Sequence, residues 1–419
     1  MEKTIITSFF TTINKDIFLR YISSMTYRLP FLRTGKEISK LEQNILEYIS
    51  PFNHKNKKII SFYNARSALY HSLKMFDIKY GDEVIVQAYT CISVVNAILQ
   101  TGAIPVYVDI EEGSLNINPK LLERKITSKT KAIILQHTFG NPREIEEILK
   151  IAKQNNIYIL EDCAHSIGAE YKGVKLGNFG DMAIFSFGRD KVISSVNGGF
   201  MIINNSKFFD KIPEIKKELK LAPINLVLKN LVYIKISFFA KLTYDFFSFG
   251  KVLMFVSRKL KIIPEVLFAS EKACADKTFF YAYPNSLAYI GLKEFSKIDF
   301  YNEHRIKLAN FYRENLSDFQ GVENNSQNKN IYLRCTYFFK YSDELMAFMK
   351  ANGVLLGDWY RQVIAPKNVN YEKALYKNGS CLVAEKLASM TVNLPNHIDI
   401  TENEAKKVVD LIGKFYFEV

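Results

Sequence analysis

Lys191, Asp162 and Ser186 are an amine, a carboxylate and a hydroxyl, each in a short loop that follows a run of β-branched and apolar residues. Lys191 closes Phe185-Ser186-Phe187-Gly188-Arg189-Asp190-Lys191. A lysine beside a pocket forms a Schiff base with an aldehyde when its surroundings keep the amine neutral; otherwise a loop lysine is simply solvated. Ser186, on the same loop, is placed to donate to a phosphate. Asp162 ends Ile157-Tyr158-Ile159-Leu160-Glu161-Asp162-Cys163-Ala164-His165. A carboxylate at the end of a buried strand is costly unless it meets a cation or several donors. A protonated pyridine nitrogen is such a cation, and His165 is near enough to touch the same ring. The plainer alternative is a carboxylate capping the next helix.

Two further stretches complete the set. Asn64-Ala65-Arg66-Ser67-Ala68 opens a helix after a strand, where free backbone N–H groups and the helix dipole suit a phosphate. An ordinary N-cap by Asn64 explains the same residues, and no glycine-rich fingerprint is present. Gly198-Gly199 permits close backbone approach. Together the stretches supply a phosphate cradle, a partner for a ring nitrogen and an amine for an aldehyde. That is the binding logic of pyridoxal 5'-phosphate, the electron sink of amino-group chemistry.

The elements that must position these residues alternate. Strand-like runs fall at Lys58–Phe62, Val84–Val86, Ile104–Val108, Ala132–Gln136, Ile157–Leu160, Met182–Phe187 and Phe200–Ile203. Amphipathic helical spacing falls between several of them, at Asn64–Met75, Ile92–Thr101 and Glu144–Gln154. This pattern predicts βαβ units around a mostly parallel sheet, with ligands beyond the carboxyl ends of the strands. Pro284–Leu316 reads as helical, and the last hundred residues as a smaller α+β unit with a strand near Tyr337–Lys340 and helices at Asp343–Ala351 and Glu402–Phe415.

With these motifs in order, the chain resembles the DegT-type family of sugar aminotransferases. The matching stretches are ISKLEQNILEY, NARSALYHSL, GDEVIVQAYTCISVVNAIL, GAIPVYVDIEEGSLNINPKLLERKITSKTKAIILQHTFG, EDCAHSIGAEYKG, GNFGDMAIFSFGRDK, NGGFMIIN and VAEKLASMTVNLPNHIDIT. The resemblance implies a three-layer α/β/α large domain with a mostly parallel seven-stranded sheet, a smaller α+β C-terminal domain, pyridoxal phosphate as cofactor and a homodimer. It implies that Lys191 carries the cofactor and shuttles the proton, and a related branch with His there dehydrates sugars instead. It implies Asp162 as the ring-nitrogen partner and His165 near the ring. Ala65, Arg66, Ser67 and Ser186 fall at the phosphate site, and Cys91 falls where an aromatic often stacks on the ring, leaving Tyr89 as the nearest candidate ring. The usual substrate loop reads Gly357-Asp358-Trp359-Tyr360-Arg361-Gln362, so Tyr89, Trp359 and Arg361 are the substrate candidates. The implied reaction moves an amino group from an amino acid, expected to be glutamate, to a nucleotide- or lipid-linked keto-sugar, in surface polysaccharide or glycoconjugate biosynthesis. A cofactor-binding regulator or membrane scaffold without turnover is the rival from another class.

Composition bounds these readings. Aromatic residues are 14% of the chain, enough to bury a core, which excludes a disordered protein. Five dispersed cysteines without a CxxC argue against a disulfide framework or a metal site and fit a reducing compartment. No leader peptide and no spanning stretch is expected, so the expected location is cytoplasmic. The net charge of +13 favours anionic partners, although no nucleic-acid recognition motif is present. Much of that charge lies in Ala222–Pro264. There Lys229, Lys235, Lys241, Lys251, Arg258, Lys259 and Lys261 oppose only Asp245 among Phe, Leu and Ile. One reading is an interfacial amphipathic insertion on the inner face of a membrane; the other is an apolar face packed on the protein with solvated lysines. The expected organisation is an arm at 1–34, a cofactor-binding domain at 35–221, the insertion at 222–264, a helical connection at 265–316 and a small domain at 317–419.

Overall fold

The computed structural model describes residues 3–7, 31–265, 269–274 and 280–418. Most of the arm expected at 1–34 lies outside the described residues. Helix α1 (Lys36–Ile49) precedes strand β1 (Lys58–Phe62) and helix α2 (Ala65–Met75). Then follow β2 (Glu83–Gln87), α3 (Ile92–Gln100), β3 (Ile104–Val108), β4 (Thr130–Gln136), α4 (Ile145–Gln154), β5 (Tyr158–Asp162), β6 (Met182–Ser186) and β7 (Gly199–Ile203). Each lies within three residues of its expected bounds.

These seven strands lie in the order β3-β2-β4-β5-β6-β7-β1. All neighbours are parallel except β7, which runs antiparallel to both β6 and β1. Side chains alternate across the sheet, so each strand feeds two cores. Along β4, Ile133 and Leu135 join one core and Ala132 and Ile134 the other. The same split places Ala183 and Phe185 of β6 opposite Met182 and Ile184. Helices on both faces complete an α/β/α sandwich.

The sheet has nine strands rather than the expected seven. Strands β8 (Lys220–Leu221) and β9 (Tyr281–Ala282) add to the β1 edge. They are two residues each and bracket the basic apolar segment, so strand periodicity is absent there.

That segment folds as helix α5 (Ile224–Leu242) and helix α6 (Phe249–Lys259). Gly250 lets them meet: a Cβ there would overlap the Ala240 carbonyl oxygen. The α5 residues Val227, Leu231 and Ile234 enter the main core, whereas Leu242, Phe246, Phe247, Phe249, Val252, Phe255 and Leu260 are exposed. No described helix is long and apolar enough to cross a membrane.

Beyond it, the helical stretch resolves into α7 (Asn285–Phe295) and α8 (Ile298–Asn315). Strand β10 (Cys335–Phe338), helices α9 (Ser342–Ala351) and α10 (Leu382–Met390), strand β11 (Thr391–Leu394) and helix α11 (Glu402–Glu418) follow. Leu345, Val392, Val408 and Ile412 form a third core, which Leu308 and Tyr312 of α8 enter.

Candidate active site

The carboxyl ends of β5 and β6, the start of α2 and the Trp359–Tyr360 loop enclose one cavity. Ala65, Arg66, Cys91, Asp162, His165, Ser186, Lys191 and Trp359 all line it. Residues 126 positions apart in sequence therefore meet because parallel strands deliver their carboxyl ends to one edge.

Asp162 is the last residue of β5, and its neighbour Glu161 points to the opposite face. The contrast is instructive. Glu161 accepts backbone N–H groups from Gly177, Phe179 and Gly180 and sits 3.2 Å from His137 Nε2. Burial pushes its pKa up, but His137 and these donors more than offset that and hold it below the usual carboxylate value. Asp162 has less: the Ala164 N–H at 3.0 Å and Gln136 Nε2 at 3.3 Å. Burial wins there, and its pKa is raised. Two adjacent carboxylates thus differ in kind, one satisfied and one short of a positive partner. Glu161, His137 and Cys163 lie close enough to suggest a metal site, but the donors already on Glu161 account for that cluster.

Lys191 lies in a loop held from three sides. Arg305 of α8 donates to the Val192 carbonyl at 2.7 Å. Ser195 Oγ lies 2.6 Å from the Tyr283 hydroxyl. Asn197 donates to Asn230 of α5 at 2.7 Å, and Asn230 donates to Tyr63 at 2.6 Å. Val196 takes a left-handed φ of 74°, a strained choice for a β-branched residue that tertiary contacts must maintain. Burial lowers the Lys191 pKa, opposed by Cys91 and Asp162 and reinforced by Arg334. The neutral amine is thereby made more accessible.

Gly199 brings the strand after this loop against the start of α2. A Cβ there would overlap the Asn64 carbonyl and the Ala65 nitrogen. The close backbone approach that the paired glycines permit is thus used at Gly199, against the cradle turn.

His165 is buried, and its Nδ1 accepts the Phe139 N–H at 3.4 Å. Burial, then Lys191 and Arg334, lower its pKa well below the ordinary value, which favours the neutral ring. Phe139 stacks beside it, with centroids 5.5 Å apart and planes at 17°.

Three expected residues fall elsewhere. Ser67 turns inward: its N–H and Oγ both donate to Asn64 Oδ1, at 2.9 and 3.1 Å, so Asn64 does cap α2. Tyr89 is fully buried, with its hydroxyl 2.9 Å from Thr391 and accepting the Tyr360 N–H. The rings on the cavity are Trp359 and Tyr360 instead. Arg361 lies outside the cavity, bound to Asp343, Ser342 and the Ser389 carbonyl. Arg66 keeps its place on the wall, but its guanidinium is ion-paired with buried Glu271.

Sequence reasoning missed Gln136, which fixes Asp162 while accepting from Thr90 at 2.7 Å. It also missed Arg334. This arginine is buried, lies 5.4 Å from the Trp359 ring centroid, and has no hydrogen-bond acceptor among the described residues. Neither stands in a recognisable motif; only the fold brings them in.

The donor set fits pyridoxal phosphate. An under-satisfied buried carboxylate suits the ring nitrogen, a depressed amine suits the aldehyde, and Ser186 with the first turn of α2 suits the phosphate. Fold and site together describe an α/β sandwich whose strand-end cavity suits that cofactor.

The chain belongs to the DegT/DnrJ/EryC1/StrS aminotransferase family, whose model matches residues 22–219 and 279–413. It is 38% identical over 170 residues to GDP-perosamine synthase of Escherichia coli O157:H7, covering 41% of this chain and 44% of that protein. It is 28% identical over 388 residues to the pleiotropic regulatory protein of Geobacillus stearothermophilus, covering 91% and 90%. The chain spans about half the length of the first curated relatives it matches. Among solved structures, E. coli GDP-4-keto-6-deoxy-D-mannose-3-dehydratase with bound hydrated PLP has the same fold. Its TM-score is 0.74 at 17% identity, over 98% of this chain and all of that one.

Proposed function

We propose that the chain is a pyridoxal-phosphate-dependent aminotransferase. It transfers an amino group from an amino acid, glutamate by expectation, to a nucleotide- or lipid-linked keto-sugar, and works as a homodimer on the cytoplasmic side in surface polysaccharide or glycoconjugate biosynthesis. One observation carries this reading: Lys191, Asp162 and Ser186 share a cavity with the start of α2. The family supports the reaction class, and the similarity to GDP-perosamine synthase supports a sugar acceptor.

When bound, the cofactor supplies an electron sink for breaking a Cα–H bond. The rest falls to the chain. Asp162 would hold the proton on the ring nitrogen, and that positive neighbour would relieve the burial that raises its pKa. Gln136 and Ala164 fix the carboxylate's direction. Lys191 Nζ would hold the cofactor and, once released, take and return the substrate proton. Its lowered pKa makes the neutral amine a readier base. Neutral His165 would lie against the ring without adding charge. Arg334, a buried cation without an acceptor, would receive a substrate carboxylate or phosphate.

A second reading, a cofactor-binding regulator without turnover, draws on the regulatory name of the relative matched along 91% of this chain. One experiment separates the two. Purified holoenzyme should show a Schiff-base absorbance that shifts when glutamate is added and returns when a keto-sugar nucleotide follows. A band indifferent to every amino donor would leave the regulatory reading standing.

A further inference from the structure

We propose that the outer face of the α5–α6 hairpin docks on an anionic lipid surface. Phe246, Phe247, Phe249, Val252, Phe255 and Val256 would enter the acyl boundary, and Lys251, Arg258, Lys259 and Lys261 would meet the headgroups. The proposal rests on the cytoplasmic placement above, not on the reaction.

The first ground is a double-sided apolar helix pair. Inward, Val227, Leu231, Ile234 and Met254 pack on the main core. Outward, Phe246 is 65% exposed, Phe247 78% and Phe255 66%. A soluble protein does not ordinarily leave so many large apolar side chains together in water. On α6, Phe249, Val252 and Val256 recur at helical spacing, beside Phe255 and between cations. This is the composition of an interfacial helix.

The second ground is charge. The lone acid, Asp245, is occupied by the backbone and hydroxyl of Thr4. Lys241 pairs with Asp399. Among the described residues, none of Lys251, Arg258, Lys259 and Lys261 has an acidic partner. A second copy of this hairpin is a poor occupant, because its lone acid, Asp245, is already occupied and offers these cations nothing to pair with. An anionic leaflet satisfies apolar and cationic groups at once.

The third ground is that the family does not require the hairpin. The family model stops at residue 219 and resumes at 279, which brackets both helices. Yet the hairpin is joined to the site. Arg189, two residues before Lys191, stacks on Tyr233 at 3.9 Å and donates to the Pro264 carbonyl at 2.6 Å. Glu265, directly after it, lines the cavity. Docking would therefore hold the cavity close to the lipid surface, where a membrane-carried sugar is presented.

The test is co-sedimentation of the full chain with vesicles of phosphatidylcholine alone or mixed with phosphatidylglycerol. Binding should require phosphatidylglycerol and weaken as salt is added. Lys259→Glu and Lys261→Glu should each weaken it by about fivefold or more. Phe246→Ser with Phe247→Ser should weaken it by about tenfold or more. Because these side chains are exposed, the fold should survive, with an unchanged circular dichroism spectrum. Phe247→Trp supplies a second readout: blue-shifted emission quenched by brominated lipid. Failure of the wild-type chain to bind phosphatidylglycerol vesicles at low salt would overturn the proposal. So would equal binding to both vesicles, or phenylalanine variants that alter only the monomer–dimer equilibrium. A protein that binds vesicles yet ignores amino donors would leave this surface intact and sink the reaction alone.

Discussion

The cavity and the hairpin break opposite rules. In and beside the cavity, charged groups are buried with few hydrogen-bond partners: Asp162 accepts only from Ala164 and Gln136, and Arg334 has no hydrogen-bond acceptor among the described residues. On the hairpin, apolar groups are exposed short of cover: Phe246, Phe247 and Phe255 face water. Each arrangement is unfavourable in the isolated chain, and each would be made good by a partner of one chemistry. Elsewhere the ordinary rules hold, as at Glu161, whose carboxylate accepts three backbone N–H groups. Departures from local satisfaction are thus where function is to be sought.

Several experiments would break or sharpen that contrast. The largest effect is expected at Lys191. Lys191→Ala should lower turnover by about 10³-fold or more while leaving the circular dichroism spectrum unchanged. Turnover within tenfold of wild type would remove the cavity from consideration.

Next comes the inner face of the hairpin. Leu231→Ala should cost about 2–5 kcal/mol in urea unfolding, because it opens a void in the main core. On the outer face, Phe255→Ala should change stability by no more than about 0.5 kcal/mol. Equal losses would mean that the outer face is covered within the folded protein, and the contrast would fail.

Arg334→Gln should raise KM for one substrate by about tenfold, with kcat changed less, if the side chain binds an anion rather than props the fold. A large loss of thermal stability with KM unchanged would assign it a structural role.

Asp162 offers a pH-dependent test. Its folded pKa lies above the unfolded value, so its contribution to apoenzyme stability is fully present below the unfolded pKa and is lost as pH rises through the folded pKa. Asp162→Asn should therefore gain stability relative to wild type on going from acid to pH 8, while losing activity. A difference that does not vary with pH would show that the carboxylate is better satisfied than the geometry implies.

The sequence made one half of this contrast far more legible than the other. The strand-end positions of Asp162, Ser186 and Lys191 follow from an alternation that the chain displays openly. Local capping is legible too: Asn64, directly before Ala65, caps α2. Other residues acquire their places only through long-range contacts. Gln136 reaches Asp162 because β4 and β5 pair in register with Gln136 opposite Asp162. Tyr89 and Arg361 were misplaced because residue type and proximity to a motif do not give side-chain direction; Tyr89 turns into a core hydroxyl pair and Arg361 toward the start of α9. In the hairpin, composition alone left packing and exposure as rivals, and the fold contains both, on opposite faces.

The parallel pairing of β8 with β9 has a practical corollary. Lys220 lies opposite Tyr281 and Leu221 opposite Ala282, so the 59 residues between them depart and re-enter at neighbouring points on the sheet edge. Because the two strands are parallel, the chain leaves at the carboxyl end of one and must return to the amino end of the other, so no tight turn can replace the excursion between them. The hairpin is therefore a structural member of this scaffold: Val227, Leu231 and Ile234 fill the main core and Asn230 braces Asn197 beside the Lys191 loop, so excising it would unsettle both.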